Sequence, residues 1–247
     1  MKKRRWFSLF LSFALLLPLF SLTSADAYED FTLDAKAGLL IEADTGEILY
    51  EKNAHQENFP ASLTKVMVAL LVFEAIDEGK IALTDSVTAT ESAFEGLSSD
   101  GSTANIVPGE TMTVEQLLNC MLIVSANEAC NILGETLCGS VDAFVARMNE
   151  RAAELGCEHT HFANATGLHN SQHYTTAWDL YLITREALKH DKFMEICNSK
   201  SYTVPATNMT DKPRELHSTN FLISNWRARG YVYRDAQGIK TGSTPEA

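Results

Sequence analysis

The sequence predicts an α+β fold in which an antiparallel sheet is flanked by helices and joined to a helical subdomain. Three observations support this class. Two strand-like segments joined by a turn come first, a block of helical segments follows, and another strand-like segment comes near the end. Strands and helices that are segregated in this way favour α+β over an alternating βαβ architecture.

The first predicted elements are two strands and a buried helix. Residues 38–44 and 47–53 have the composition of strands and are joined by turn chemistry at residues 44–46, which predicts a β-hairpin. Residues 61–76 are almost continuously apolar, follow a proline and precede a glycine, which predicts a helix buried on most sides. Residues 84–110 are rich in small polar and acidic side chains and predict loops with short strands.

Helical segments with their own start and stop signals occupy the middle of the chain. Thr113 with Gln116 makes a capping box, and Thr176 with Asp179 resembles another capped start. Glycines end two of the other segments. Residues 238–243 predict the beginning of a late strand. The predicted helices span about residues 113–124, 128–137, 141–155 and 176–190.

The N-terminus has the pattern of a secretory signal peptide, which we assign to residues 1–27. Residues 2–5 are basic, residues 6–22 are almost entirely apolar, and small residues follow at 25–27. An uncleaved membrane anchor is the alternative, because the apolar run approaches the length that spans a bilayer. The small-residue ending favours cleavage, so we expect an exported protein of the extracytoplasmic cell envelope with its domain at residues 28–247.

Composition argues against several classes of function. The formal net charge of −12 argues against a nucleic-acid partner and against electrostatic binding to anionic lipid. The five cysteines are an odd number, so at least one thiol stays unpaired, and the sequence names no disulfide pair. Cys and His residues at 157–161 and 169–173 have spacings that zinc ligands use, but Asn164 and Gly167 fit an ordinary structural loop. We therefore expect no metal and no cofactor.

Ser62 and Lys65 are the first candidate catalytic pair. Residues three apart on a helix share a face, so the hydroxyl and the amine can approach hydrogen-bonding distance. A serine becomes a good nucleophile when a base takes its proton, and burial beside another positive charge suits a lysine for that task. The helix N-terminus adds N–H groups for a developing oxyanion. A helix cap followed by a solvated lysine is the alternative interpretation.

Two further motifs carry polar groups suited to a peptide substrate. Ser125-Ala126-Asn127 lies at a break between predicted helices, where its hydroxyl and carboxamide can point into one cleft. Lys240-Thr241-Gly242, followed by Ser243, opens the late strand. There the glycine lets a substrate backbone lie alongside, while the lysine and the hydroxyls meet anionic groups. A helix cap and an edge strand with a protective lysine are the alternatives.

The three motifs occur in the order Ser-x-x-Lys, Ser-x-Asn, Lys-Thr-Gly, the set found in penicillin-binding proteins and class A β-lactamases. From about residue 35 onwards the chain resembles the low-molecular-weight penicillin-binding proteins, the D-alanyl-D-alanine carboxypeptidases. The resemblance implies a β-lactamase/D,D-peptidase-like fold and a serine hydrolase. The segments that carry it are residues 60–65, 162–168, 173–179 and 238–244.

The resemblance also implies a role for each motif residue. Ser62 attacks the penultimate D-alanine carbonyl, and Lys65 takes its proton. Ser125 with Lys240 delivers a proton to the leaving D-alanine. The residues implied to bind substrate, through its amide, its terminal carboxylate and the oxyanion, are Asn127, Lys240, Thr241, Gly242 and Ser243.

The implied substrate is a peptidoglycan stem peptide ending in D-Ala-D-Ala, and β-lactam antibiotics are implied to inhibit covalently through Ser62. A D,D-endopeptidase acting on cross-links stays open as an alternative. So does a class A-like β-lactamase, although Ala126 stands where that class usually has Asp and no convincing Glu-x-x-x-Asn segment follows residue 150. A non-enzymatic sensor that binds β-lactams or muropeptides is the third alternative, which the intact Ser62 and Lys65 disfavour.

Members of the resembled family continue past the Lys-Thr-Gly strand with more strands, a helix and a C-terminal amphipathic membrane anchor. We therefore expect this chain to be truncated at the C-terminus, with a catalytic domain that is incomplete after that strand. We expect its activity or stability to fall below that of a longer form. Membrane association is expected to depend on a C-terminal segment absent from this sequence.

Overall fold

A hairpin, a block of helices and a second hairpin follow one another along the chain. The computed structural model describes residues 33–247, so the predicted signal peptide at residues 1–27 lies outside the described residues. Lys36–Ala247 forms one compact unit. The predicted α+β class is confirmed, because six α-helices accompany antiparallel strands within the described residues.

The first hairpin pairs β1 (Gly38–Ile41) with β2 (Ile48–Lys52) in antiparallel register. Gly46 closes the connecting turn, where its N–H donates to the carbonyl of Glu42 at 2.9 Å. Its φ of +75° suits glycine, which has no Cβ to clash in the left-handed region. The predicted hairpin is confirmed, with strands shorter than the predicted segments.

Helix α1 (Lys65–Asp77) runs through the centre of the core. Every residue from 65 to 73 is buried, and α1 packs against other helices on several sides, so the prediction of a helix buried on most sides is confirmed. A 3₁₀ turn, Ala61–Thr64, precedes it. The turn is tighter than the predicted helix start because Ala61 has a φ of +48°, and a left-handed residue does not continue a right-handed α-helix.

Five further α-helices accompany α1 within the described residues. Thr113 Oγ1 accepts from the Gln116 N–H while the Gln116 side chain accepts from the Thr113 N–H, which confirms the capping box. Gly139, with a φ of +81°, ends the second of these helices. The helices are α2 (Val114–Ile123), α3 (Asn127–Cys138), α4 (Val141–Glu154), α5 (Ala177–Ala187) and α6 (Asp191–Cys197).

Within residues 33–247 the strands form three separate two-stranded antiparallel ladders rather than one continuous sheet. β3 (Ser86–Thr88) pairs with β4 (Thr111–Thr113), in line with the short strands predicted for this loop-rich region. β5 (Ser201–Val204) pairs with β6 (Arg214–His217). This last hairpin and α6 were not among the predicted elements. Both are short, and α6 has no side-chain cap that could mark its start.

The prediction of a strand at residues 238–243 is wrong. No strand among the described residues pairs with this segment, and a strand needs a ladder of hydrogen bonds to a neighbour. The segment instead packs against the 3₁₀ turn, since a Cβ placed on Gly242 would stand 2.9 Å from the Pro60 carbonyl oxygen and 3.2 Å from Leu63 Cγ. Contact with the turn that carries Ser62 therefore helps to position the Lys-Thr-Gly motif.

Packing stabilises this fold without a covalent cross-link. All five cysteines carry free thiols, and four of them are buried. The core is built mainly from α1, α2 and α3, with side chains from α4 to α6 closing it. Within the part of the chain that the structure describes, no helix combines the length and the apolar character needed to cross a membrane.

Candidate active site

Ser62 and Lys65 lie side by side where the 3₁₀ turn passes into α1. Lys65 Nζ donates to Ser62 Oγ at 3.1 Å. Ser62 is partly exposed, whereas the Lys65 side chain is fully buried. The spacing of three residues brings the two groups together as the sequence predicts, and the alternative of a solvated lysine is wrong.

The amine of Lys65 has two further oxygen partners. It donates to Asn127 Oδ1 at 2.9 Å and to the backbone carbonyl of Thr166 at 2.5 Å. Burial lowers the pKa of Lys65 by disfavouring its charged form, although the negative charge of Glu128 opposes this effect. An amine with a lowered pKa is a better base near neutral pH, and two fixed oxygens hold it beside the serine.

Ser125 and Lys240 form a second hydroxyl–amine pair. Lys240 Nζ donates to Ser125 Oγ at 3.0 Å and to the backbone carbonyl of Thr241 at 2.8 Å. Burial, assisted by the positive charge of Lys65, lowers the pKa of Lys240 to about 7. This amine therefore changes charge near neutral pH, which suits a group that both gives and takes protons.

The turn from Ser125 to Asn127 joins the two pairs into one cluster. Ser125 bonds to Lys240, and Asn127, two residues later, bonds to Lys65. Ser125 has a φ of +67°, a conformation that costs energy for a residue with a Cβ and persists only where the surroundings hold it. The structure thus brings five of the predicted site residues together.

The remaining predicted residues follow Lys240 along the chain. Thr241 Oγ1 lies 2.8 Å from Thr219 Oγ1, so its hydroxyl is fixed from the segment after β6. Gly242 packs against the 3₁₀ turn that bears Ser62. Ser243 is exposed beside it. Gly242 therefore borders the Ser62 turn, and Thr241 and Gly242 both make contacts that fix their position.

A loop that sequence reasoning did not connect to the site lies over the 125–127 turn. The Asn127 N–H donates to the carbonyl of Ser102 at 2.9 Å. Buried Glu128 accepts from Thr103 Oγ1 at 2.6 Å and from the Ala104 N–H at 2.8 Å. A carboxylate placed directly after Asn127 therefore holds this loop against the cluster.

Thr166 is a functional contact that the sequence indicated only indirectly. Asn164 Oδ1 accepts from the N–H groups of Thr166 at 3.1 Å and Gly167 at 2.8 Å, and also from Thr166 Oγ1 at 3.0 Å. This turn chemistry aims the Thr166 carbonyl at Lys65. The spacing of Asn164 and Gly167 in the sequence predicted the turn. It did not predict that the Thr166 carbonyl accepts from Lys65, because those residues are 101 positions apart.

The histidines whose spacing could suggest zinc ligands make other contacts. His173 is buried and bonds to Thr64 Oγ1 and to the Ala163 N–H. His169 packs its ring edge-on against Phe59. Within residues 33–247, no three Cys, His, Asp or Glu side chains gather as metal ligands would.

Comparisons with known proteins point to one family. A family model described as D-alanyl-D-alanine carboxypeptidase matches residues 23–247. D-alanyl-D-alanine carboxypeptidase DacF of Bacillus subtilis is 40% identical over 214 residues, which cover 87% of this chain and 52% of that protein. The D-alanyl-D-alanine carboxypeptidase of Streptomyces sp. strain K15 is 30% identical over 235 residues, which cover 91% of this chain and 77% of that protein.

Solved structures give the same result. The crystal structure of the Streptomyces K15 DD-transpeptidase matches with a TM-score of 0.77 at 30% identity, covering 88% of this chain and 83% of that chain. The chain spans about half the length of the first curated relatives it matches. The family model nevertheless extends over most of the chain and includes every predicted site residue. The chain therefore belongs to the D-alanyl-D-alanine carboxypeptidase family.

Proposed function

We propose that this protein is a serine-type D-alanyl-D-alanine carboxypeptidase that trims peptidoglycan stem peptides through an acyl-enzyme on Ser62. The observation that carries the proposal is the pairing of each hydroxyl with a buried amine, Ser62 with Lys65 and Ser125 with Lys240. Membership of the family supports the same chemistry. Residues 28–247 are then the catalytic domain of an exported protein that works in the cell envelope.

In the proposed acylation, Ser62 Oγ attacks the carbonyl carbon of the penultimate D-alanine while its proton passes to the neutral amine of Lys65. Burial favours that neutral form. The carbon–nitrogen bond then breaks, and the leaving nitrogen takes a proton from Ser125, which Lys240 replaces from its own ammonium. Free D-alanine and an ester on Ser62 are the products.

Deacylation completes the cycle. Water attacks the ester carbonyl, and the bond from that carbon to Ser62 Oγ breaks. The water oxygen stays on the peptide as its new carboxylate. Of the two protons that water loses, one returns a hydroxyl to Ser62 and the other recharges Lys240. Lys65 gives the proton it gained in acylation to solvent, where the amine of free D-alanine takes it up. Both hydroxyl–amine pairs, Ser62 with Lys65 and Ser125 with Lys240, are thereby restored for another turnover.

Groups around the cluster suit the ends of the substrate. The carboxamide of Asn127 is assigned to the substrate amide, and the charge of Lys240 with the hydroxyl of Thr241 to the terminal carboxylate. Gly242 leaves room for the substrate backbone, and the N–H of Ser243 contributes to the oxyanion hole. β-Lactams carry a strained amide and a carboxylate, so they are proposed to acylate the same serine.

Release of D-alanine tests the activity directly. The full-length protein is incubated with a pentapeptide ending in D-Ala-D-Ala, and free D-alanine is measured over time. In parallel, penicillin-treated protein is digested and the adduct located by mass spectrometry. We expect both signals from the wild type and neither from Ser62→Ala. Ser140→Ala, which removes an N-cap serine of α4, is the matched control and keeps both signals.

The alternatives give different results in the same assays. A class A-like β-lactamase turns over penicillin and releases little D-alanine, and a sensor forms the adduct but releases none. An endopeptidase prefers a cross-linked dimer of stem peptides to the linear pentapeptide. An adduct on a residue other than Ser62 contradicts the proposal.

A further inference from the structure

A chain of hydrogen bonds connects a buried histidine to the residue before Ser62. The Ala163 N–H donates to His173 Nδ1 at 3.0 Å, and His173 Nε2 lies 2.7 Å from Thr64 Oγ1. Thr64 Oγ1 in turn donates to the carbonyl oxygen of Ala61 at 2.8 Å. His173 is 2% exposed and Thr64 is 0% exposed, so water does not compete for these bonds.

The direction of every bond in this chain is fixed by chemistry. A backbone N–H can only donate, so His173 Nδ1 carries no proton and Nε2 carries the single proton of the neutral ring. Nε2 therefore donates to Thr64 Oγ1, whose own proton goes to the Ala61 carbonyl. Burial, with the charges of His161 and Lys65, lowers the pKa of His173 to about 4 and so favours this neutral form.

The Ala61 carbonyl at the end of the chain belongs to a strained residue. Ala61 has a φ of +48°, which a residue with a Cβ adopts only where its surroundings hold it. Gly167 packs against the same carbonyl from the loop of residues 162–168, since a Cβ there would stand 1.9 Å from the Ala61 oxygen. The peptide after Ala61 leads directly into Ser62, so its orientation sets the direction of the Ser62 side chain.

We propose that His173 and Thr64 are positioning residues for Ser62, which hold the Ala61 carbonyl and thereby fix the approach of Ser62 Oγ to the substrate. The inference rests on the proposed function, because it concerns the same nucleophile. Neither residue touches the Ser62 hydroxyl or Lys65 Nζ through a hydrogen bond of its side chain. Their effect is therefore on the rate of the covalent step and not on the binding that precedes it.

The test compares the loss of a hydroxyl at two places. Thr64→Val keeps the shape of the side chain but removes the link, whereas Thr64→Ser keeps the link. Thr136→Val is the matched control, because Thr136 Oγ1 also donates to a backbone carbonyl, that of Ile132 at 2.7 Å in α3. For each full-length variant, the acylation rate is measured over a range of fluorescent penicillin concentrations, and folding is checked by circular dichroism.

We expect Thr64→Val to slow the limiting acylation rate by about 10–100-fold, the effect of a misplacement near 1 Å. Its half-saturating penicillin concentration should stay within about twofold of the wild-type value, since ground-state binding is unchanged. Thr64→Ser should keep the rate within about threefold, and Thr136→Val should leave it unchanged. This separation of rate from binding, with rescue by serine, is not expected of a residue that only adds stability.

His173→Asn provides a second route to the same answer. Asparagine is too short to reach Thr64 while it bonds to the Ala163 N–H, so its limiting rate should fall as in Thr64→Val. If Thr64→Val does not fold, the limiting acylation rate of His173→Asn tests the proposal in its place. A folded variant of either kind that acylates at the wild-type rate overturns the proposal, as does a Thr64→Ser rate as low as that of Thr64→Val. Wild-type protein that forms no adduct contradicts the proposed function instead.

Discussion

Gly167 lies against the carbonyl of Ala61 so closely that a Cβ at residue 167 would stand 1.9 Å from its oxygen. No heavy atom can occupy that space, and the backbone φ of +85° is itself unfavourable for other residues. The loop of residues 162–168 and the turn that carries Ser62 therefore fit together only with glycine at this position.

We expect Gly167→Ala to lower both stability and the rate of penicillin acylation. Gly156→Ala is the matched control, because Gly156 has a φ of +79° but no atom within 4 Å of the added Cβ. The control should cost about 1–2 kcal/mol from backbone strain alone, and Gly167→Ala several times more. Thermal unfolding and labelling with fluorescent penicillin measure the two effects. Equal losses for the two variants contradict the proposed fit.

Acylation of Ser62 should depend on the protonation of Lys65. The amine accepts a proton only when it is neutral, and burial lowers the pKa of Lys65 so that the neutral form exists at lower pH than for an exposed lysine. The acylation rate should therefore fall as the medium is acidified through this pKa. A rate that rises on acidification is inconsistent with Lys65 as the base.

Removal of the amine provides the complementary measurement. Lys65→Met should slow acylation by about 10²–10⁴-fold, the usual contribution of a general base, and the residual rate should lose the fall on acidification that is due to Lys65. Lys80→Met serves as control, because Lys80 is exposed and forms its ion pair with Glu78. Stopped-time labelling across pH 5–9 distinguishes the three proteins.

The buried amine of Lys240 is expected to lower the free energy of unfolding, although the proposed reaction needs it. Its pKa is about 7 in the folded protein against an ordinary value of 10.5. Between these pH values the unfolded chain binds more protons, so stability rises with pH, and the full cost of burying the ionised amine is present below about pH 7. Lys240→Met should therefore raise the melting temperature more at pH 6 than at pH 10, by about 2–8 °C at the lower pH, while acylation falls.

Lys192→Met gives the control of opposite sign. Bonds to Glu115 and Glu195 raise the pKa of Lys192, so this partly buried ammonium stabilises the fold and its removal should lower the melting temperature slightly. Calorimetry at both pH values measures these changes. A uniform shift of the Lys240→Met melting temperature across pH argues against the lowered pKa.

Glu128 is expected to hold the loop that covers the 125–127 turn. Glu128→Ala leaves the buried Ala104 N–H without its acceptor at 2.8 Å, which should cost about 1–3 kcal/mol. Hydrogen exchange should speed up at residues 102–106 in this variant. Glu150→Ala is the control, because it removes an exposed carboxylate whose Oε2 lies 3.5 Å from Arg147 Nη1. It should change neither the free energy of unfolding nor the exchange rate at residues 102–106. Unchanged exchange in the loop contradicts the role of Glu128.

Features with local signals were predictable from the sequence. The capping box at Thr113 and the glycine after α3 depend on neighbours within four residues, and both are present. The approach of Lys65 to Ser62 follows from helical spacing in the same way.

Features that depend on distant contacts were not predictable in this way. Ser125 and Lys240 meet across 115 positions, and only the order of the three motifs, through the family resemblance, indicated that they share a site. The contact of His173 with Thr64 spans 109 positions and had no local signal at all. The predicted strand at residues 238–243 failed for a related reason, because strand formation depends on a neighbour that no local pattern specifies.

The free thiols have a consequence for handling the protein. Burial raises the pKa of Cys120, Cys157 and Cys197 to about 12 and that of Cys130 to about 11. Thiol exchange proceeds through the thiolate, which these four side chains scarcely form at neutral pH. In the native state these four thiols should therefore stay unmodified when oxidised glutathione is added, which mass mapping of the cysteines measures.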